Sequence, residues 1–242
     1  MHQLIRALRR FYRLVYFEKL GRLLPGAAVS SGSTDKMAVA LSFDDGPNPP
    51  YTQQVLDVLD RHRVQATFFL VGSNVVEHPA VVRQIAARGH CIGTHSFTHH
   101  HQIKKCILHF RREVIRPHRL ISHLAGVEPV LFRPPYGAQD PVLFALLGRL
   151  MGYSVILWSV DPQDWKMGPP EDIARRVVGS VEPGGIVLLH DRSEATVNAL
   201  SSIIEKLCSQ GYRFATVPDL LGLEERSLPV GRGTPVDSKV AV

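Results

Sequence analysis

Short apolar runs alternate with stretches of helical period over most of this chain. Runs at 37–43, 66–70, 91–93, 130–132, 153–158, 186–189 and 213–217 are rich in Val, Ile, Leu and Phe and read as short strands. Between them the apolar positions follow the helical period at 51–62, 79–88, about 102–124, 140–150, 171–180 and 195–210. Gly89, Gly152 and Gly211 stand just past three of these segments, where a helix C-terminus favours glycine. Strand and helix taken in turn predict an α/β fold with a parallel sheet. About seven strands predict a distorted or incomplete (β/α) barrel more than a doubly wound sheet. The glycine fingerprints of dinucleotide and nucleoside triphosphate sites are missing, and no internal repeat of fixed period is evident.

The two ends differ from this middle. In residues 1–24, Leu4, Leu8, Phe11 and Val15 share one helical face, while Arg6, Arg9, Arg10 and Arg13 take the other. Such a basic amphipathic helix can dock on the folded domain or lie on an anionic membrane surface. Residues 25–36 are small and polar and read as a linker, 37–221 as the folded α/β domain, and 222–242 as a disordered tail. The first 24 residues hold no unbroken apolar core of signal-peptide length, and nothing is long enough to span a bilayer. The expectation is a cytoplasmic protein, its N-terminal helix docked on the domain sooner than peripheral at the inner face of the membrane.

Composition changes this picture little. Hydrophobic residues make up 45% and charged residues 21%, a globular balance. The net charge is +6, but much of the excess lies near the N-terminus and does not describe the interior. No aromatic-basic platform or recognised module supports a nucleic-acid partner. Cys91, Cys106 and Cys208 form no CxxC pair, which favours reduced thiols.

In a barrel, chemistry belongs where strands end and loops begin. The polar clusters of this chain fall there: Asp44-Asp45, the stretch Thr94 to His99, Arg133 to Gly137, Asp161 to Trp165, and His190-Asp191. Two adjacent carboxylates resist ionising together, so Asp44 and Asp45 suggest one metal ligand and one general base. His95 and His99 have the i, i+4 spacing that sets two imidazoles on one face of a helical turn. Two His and one Asp leave open positions, the composition of a catalytic zinc site. Ser42 and Ser96 lie in no nucleophile elbow.

Taken together and in order, these five motifs resemble the polysaccharide deacetylases of carbohydrate esterase family 4, the NodB-homology domain, with VDPQDW and GGIVLLHD similar to its chitooligosaccharide branch. The resemblance covers about residues 37–221. It implies a metal-dependent N-deacetylase acting on an N-acetylated amino sugar, N-acetylglucosamine in an oligosaccharide or glycan precursor being the simplest choice. Asp44 would then be the general base, paired with Arg133. Asp45, His95 and His99 would hold one divalent metal, zinc before cobalt. The Tyr136 amide would stabilise the oxyanion, and His190, held charged by Asp164, would be the general acid. Trp165 and Leu188 would line the pocket for the acetyl methyl. The runners-up are a related amide hydrolase acting on a lipid-linked sugar, a formamide or a cyclic imide, or a catalytically silent carbohydrate-binding member. Oligomeric state is left open. Three features depart from the family: no secretion signal is read in the first residues, the larger departure; Lys166 follows Trp165 where many relatives have Arg; and segment 99–124 is unusually basic and His-rich, which reads as a solvated helix face more than a substrate-facing loop.

Overall fold

A computed structural model describes residues 28–100, 107–138 and 140–223. The N-terminal segment 1–24 and most of the tail lie outside the described residues, and so do the expectations attached to them.

Every strand pairing along the main sheet is parallel. β1 (Ala28–Val29), β2 (Ala38–Asp44), β3 (Thr67–Leu70), β4 (Cys91–Thr94), β5 (Leu131–Phe132), β6 (Ser154–Ile156) and β7 (Gly185–His190) run in the order β1-β6-β5-β4-β3-β2-β7. β8 (Arg213–Phe214) pairs with the first residues of β2, beside which β3 takes the last. Between the outer strands β1 and β7 there is no ladder. Single bridges, Ser31 with Gly185 and Val160 with Val187, stitch that side. This is the incomplete (β/α) barrel of about seven strands that the pattern predicts.

β2 shows how the sheet makes a site. All but its first residue are buried, as in a strand covered on both faces. Its side chains still alternate. Val39, Leu41 and Phe43 join the core beneath the helices α1 (Tyr51–His62), α7 (Pro170–Ser180) and α8 (Glu194–Ser209). Ala40 joins an inner cluster with Phe69, Leu131, Ile156 and Ile186. Ser42 and Asp44 share that inner face, so the carboxylate stands at the top of a filled barrel.

Three elements differ from expectation. Part of the expected linker is an edge strand: Ala28 and Val29 pair with Val155 and Ile156, and buried Ala28 packs with Phe132 and Tyr153. Two residues are too short to show a period. The run 213–217 ends as a strand at Phe214, and Thr216 caps α9 (Val217–Leu221) with its side chain. Two short helices, α2 (Gly72–Glu77) and α3 (Pro79–Ala87), follow β3 where one was expected. After the undescribed residues 101–106 come α4 (Ile107–Phe110), a π-helical turn Arg111–Ile115 and α5 (Arg116–Ala125). This segment is not only a solvated face. Glu113, Val114, Ile121 and Ser122 are buried, and His118 bonds Glu128 at 2.7 Å and the Tyr153 hydroxyl at 2.8 Å. The short helix α6 (Pro141–Met151) completes the layer beside β6.

Candidate active site

Asp44 is the last residue of β2, and Asp45 follows in the left-handed region at φ 73°. That turn parts the two carboxylates, though both approach His95 Nε2, Asp44 through Oδ2 at 3.6 Å. Asp44 points inward, 3% exposed, and accepts from Arg133 Nη1 at 2.6 Å. Asp45 points to the histidines, with Oδ1 3.3 Å from His99 Nε2 and 3.8 Å from His95 Nε2. Its backbone carbonyl accepts from the side-chain amides of Asn48 at 3.0 Å and Asn74 at 2.8 Å, which hold the unusual conformation.

His95 and His99 do meet at one point, but not on a helical turn. They lie in a loop after β4 in which Ser96 (φ 64°) and His99 (φ 57°) are left-handed. A spacing of four constrains chain distance, not conformation. The loop is gripped from outside: the buried Glu113 carboxylate accepts from the N–H of Phe97 at 3.2 Å and Thr98 at 2.9 Å, and from the Thr98 hydroxyl. Arg116 covers the Phe97 ring at 4.2 Å.

The three ligand atoms of Asp45, His95 and His99 lie within 4.8 Å of one another. His95 Nδ1 is 2.7 Å from the Arg133 carbonyl, which can only accept. A proton therefore sits on Nδ1, which leaves Nε2, on the side of the carboxylates, as the ligand atom. Burial, and then the neighbouring His95, hold His99 below the usual histidine pKa and so in the neutral, ligating form. These donors fit a divalent ion.

Arg133, completely buried, is the centre of the interior. Nη1 also reaches Ser42 Oγ at 2.9 Å, Nε the Ile156 carbonyl at 3.3 Å and Nη2 the Leu157 carbonyl at 3.1 Å. Its guanidinium stacks 4.0 Å from the Phe69 ring centre. Tyr136, at φ 59° in the short turn Pro135–Gly137, sets its ring 4.6 Å from that of His99.

His190 pairs in register with Asp44 across β2 and β7, which puts the two side chains on one face of neighbouring strands. His190 Nδ1 lies 2.8 Å from Asp164 Oδ1, and Asp164 Oδ2 accepts from the His190 backbone at 2.7 Å and the Thr196 hydroxyl at 2.9 Å. Burial opposes charge on His190. The bond to Asp164 and the charges of Asp164, Asp44 and Asp45 outweigh it and raise the pKa above the ordinary value. Leu188 lies two residues below His190 on the same face, buried opposite Ser42. Trp165 stands at the rim beside Asp164, 42% exposed, with Lys166 Nζ 5.1 Å from its ring centre. Its indole is no core residue.

Asp191, given no role from sequence, turns inward. It accepts from Thr52 Oγ1 at 2.6 Å and Asn48 Nδ2 at 3.3 Å. Burial pushes its pKa up to about 7, against the pull of those two bonds. A Cβ at Gly46 would stand 2.6 Å from its Oδ2, so this close approach needs glycine. Glu113, Asn74, Thr196 and Arg192 were equally invisible. Each meets a partner distant in sequence, and only the position of Asp191 beside His190 could have drawn the eye.

Residues 31–156 match the family model described as polysaccharide deacetylase. The chain belongs to the polysaccharide deacetylase family. It is 37% identical over 196 residues to a peptidoglycan-N-acetylglucosamine deacetylase of Bacillus cereus, covering 78% of this chain and 70% of that one. It is 36% identical over 204 residues to a chitooligosaccharide deacetylase of Rhizobium leguminosarum bv. trifolii, covering 78% and 93%. The solved structure of the Bc1960 peptidoglycan N-acetylglucosamine deacetylase superposes with a TM-score of 0.77 at 35% identity, over 81% of this chain and 94% of that one. By family this is a hydrolase of amide bonds. A Bacillus anthracis family 4 pseudoenzyme, BA3943, is also similar, at 30% identity, a TM-score of 0.76, and 81% and 69% coverage. The fold is therefore shared by active and inactive members, and side chains must carry the argument for catalysis.

The Asp164 contact makes one such argument testable. A raised pKa keeps His190 charged to higher pH, so if His190 is the proton donor, donation fails only as pH climbs through that value. Asp164→Asn removes the nearest supporting charge and lowers it. The alkaline limb of kcat/KM against pH is expected to move to lower pH in the metal-loaded variant. A limb that stays in place would mean another group sets it.

Proposed function

We propose that this chain hydrolyses the acetamide of an N-acetylated amino sugar, N-acetylglucosamine in an oligosaccharide or glycan precursor, to a free amine and acetate. The observation that carries the reading is the flanking of one Asp-His-His cluster by two separately supported groups, Asp44 on Arg133 and His190 on Asp164. The names of the Bacillus and Rhizobium relatives support the choice of sugar.

Asp45, His95 and His99 would hold the metal. Two imidazole nitrogens and one carboxylate oxygen suit zinc, with cobalt as a substitute. Such an ion supplies Lewis acidity toward the acetamide carbonyl and toward water. Asp44 takes the proton of the attacking water. Arg133 engages its Oδ1, which leaves Oδ2 as the accepting atom. The Tyr136 amide steadies the carbonyl oxygen as it gains charge; one such donor is worth about 10²–10³ in rate. His190 then gives its proton to the departing nitrogen through Nε2, its Nδ1 being held by Asp164. The C–N bond breaks, and the water oxygen stays with acetate. Leu188 below and Trp165 at the rim bound the space for the acetyl methyl.

Acetate release from N-acetylglucosamine oligomers of several lengths tests the reaction. Release is expected to stop with a chelator and return with zinc or cobalt. A metal-loaded protein that releases none from any length would overturn the choice of substrate.

The pattern of residues 1–24 supports a second proposal, contact with an anionic membrane surface. No helix among the described residues is long and apolar enough to cross a membrane. Removing residues 1–24 is expected to abolish sedimentation with anionic liposomes. Undiminished binding by the truncated chain would end the idea.

A further inference from the structure

The Asp45 carboxylate is divided between two neighbours. Oδ1 faces the Nε2 atoms of His99 and His95, while Oδ2 accepts from Arg192 Nη1 at 3.1 Å. Among the described residues Arg192 is the only hydrogen-bond donor to Oδ2. The arginine reaches across the barrel mouth from the loop after β7, 147 positions along the chain from Asp45. Its backbone is pinned on both sides. Asp191, before it, is buried on Thr52 and Asn48. Ser193, after it, caps α8 by accepting from the Thr196 N–H at 3.2 Å. The same Asn48 that bonds Asp191 also bonds the Asp45 carbonyl. One network thus sets both ends of the Arg192–Asp45 pair.

As a contribution to folding, such a pair is worth little. The Arg192 side chain is 43% exposed, and surface ion pairs of this kind add almost nothing to stability. Its placement matters at the metal. A free carboxylate can offer a metal one oxygen or two. A guanidinium on the second oxygen removes that choice and fixes the direction of the first.

We propose that Arg192 is a positioning residue of the metal site, which engages Oδ2 so that Asp45 offers the ion Oδ1 alone, on the side of the two histidines. The inference rests on the Asp45-His95-His99 metal reading. A single oxygen from Asp45 leaves coordination room for water and for the acetamide carbonyl.

The test uses the full chain and the variants Arg192→Gln, Arg192→Lys and His99→Ala. Zinc affinity is read by competition with a chromophoric chelator, and coordination by the visible spectrum of bound cobalt. Arg192→Gln is expected to bind zinc about tenfold more weakly, within the range typical of an outer partner to a metal ligand. Its cobalt bands are expected to lose intensity as the second carboxylate oxygen joins the ion. Arg192→Lys, which keeps a donor of the same charge, should recover most of the affinity. The melting temperature of the metal-free protein should not change. Zinc affinity within twofold of the parent, or tighter, would overturn the proposal, as would an equal loss in the Lys variant. A parallel fall in metal-free stability would assign Arg192 a structural role instead. If the parent binds no zinc, or binds it as His99→Ala does, the metal reading itself fails and the proposal with it.

Discussion

Replacing Asp44 with Asn is expected to lower acetate release by about 10²–10⁴-fold, the usual worth of a general base, while zinc stays bound. The substitution keeps size and shape. Asn Oδ1 can still accept from Arg133 Nη1, now 2.6 Å from the carboxylate, so the interior need not rearrange. What disappears is the ability to take a proton, together with the charge that balances the buried Arg133, so stability is measured on the same samples. The companion Asp45→Asn should instead lose the metal, because Oδ1 of Asp45 faces both histidines. Rate and metal content measured on the same samples separate the two carboxylates. If Asp44→Asn loses zinc and Asp45→Asn keeps it, the assignment of base and ligand is reversed.

The second large effect is on stability. Arg133→Met is expected to cost about 3–5 kcal/mol, because it strands the buried Asp44 charge. Ser42 Oγ and the carbonyls of Ile156 and Leu157 lose a donor as well. The double variant Asp44→Asn/Arg133→Met should regain much of that loss and none of the activity, since its remaining buried groups are neutral. Arg133→Lys should fall between, for an ammonium carries the charge but not the fork that spans four acceptors. Urea unfolding of the four proteins measures all of this. A single Arg133→Met variant as stable as the parent would mean that the Arg133–Asp44 pair does not hold the interior together.

What the sequence disclosed was local. The run Met37 to Phe43, closed by two carboxylates and Gly-Pro, declares a buried strand and its polar end within eleven residues. The same holds for the run Ile186 to Leu189 before His190. A parallel barrel collects such ends at one rim, so order along the chain sufficed to gather Asp44, His95, Arg133 and His190. What stayed hidden depends on long-range approach. Thr52 meets Asp191 from 139 positions away, and Arg192 meets Asp45 from 147. No spacing rule joins them. The histidine loop was misjudged for another reason: its left-handed residues include Ser96 and His99 rather than glycine, so composition gave no warning. His118 was hidden in a basic stretch whose inward face became apparent only once β6 brought Tyr153 beneath it.

The π-helical turn Arg111–Ile115 ties this chain's tolerance of insertions and deletions to its chemistry. In a regular helix each residue turns the side-chain direction by about 100°. A π turn accommodates a surplus residue. Here the surplus lets Glu113 reach the loop of His95 and His99 while Ile121, further along, stays in the core. Losing one residue from 111–115 would restore a regular helix, which on helix grounds alone is no injury. It would also swing Glu113 away from Phe97 and Thr98 and release the ligand loop. A gap of one position in this helix, more than 10 residues from either histidine, is therefore expected to act as a lesion of the proposed metal site.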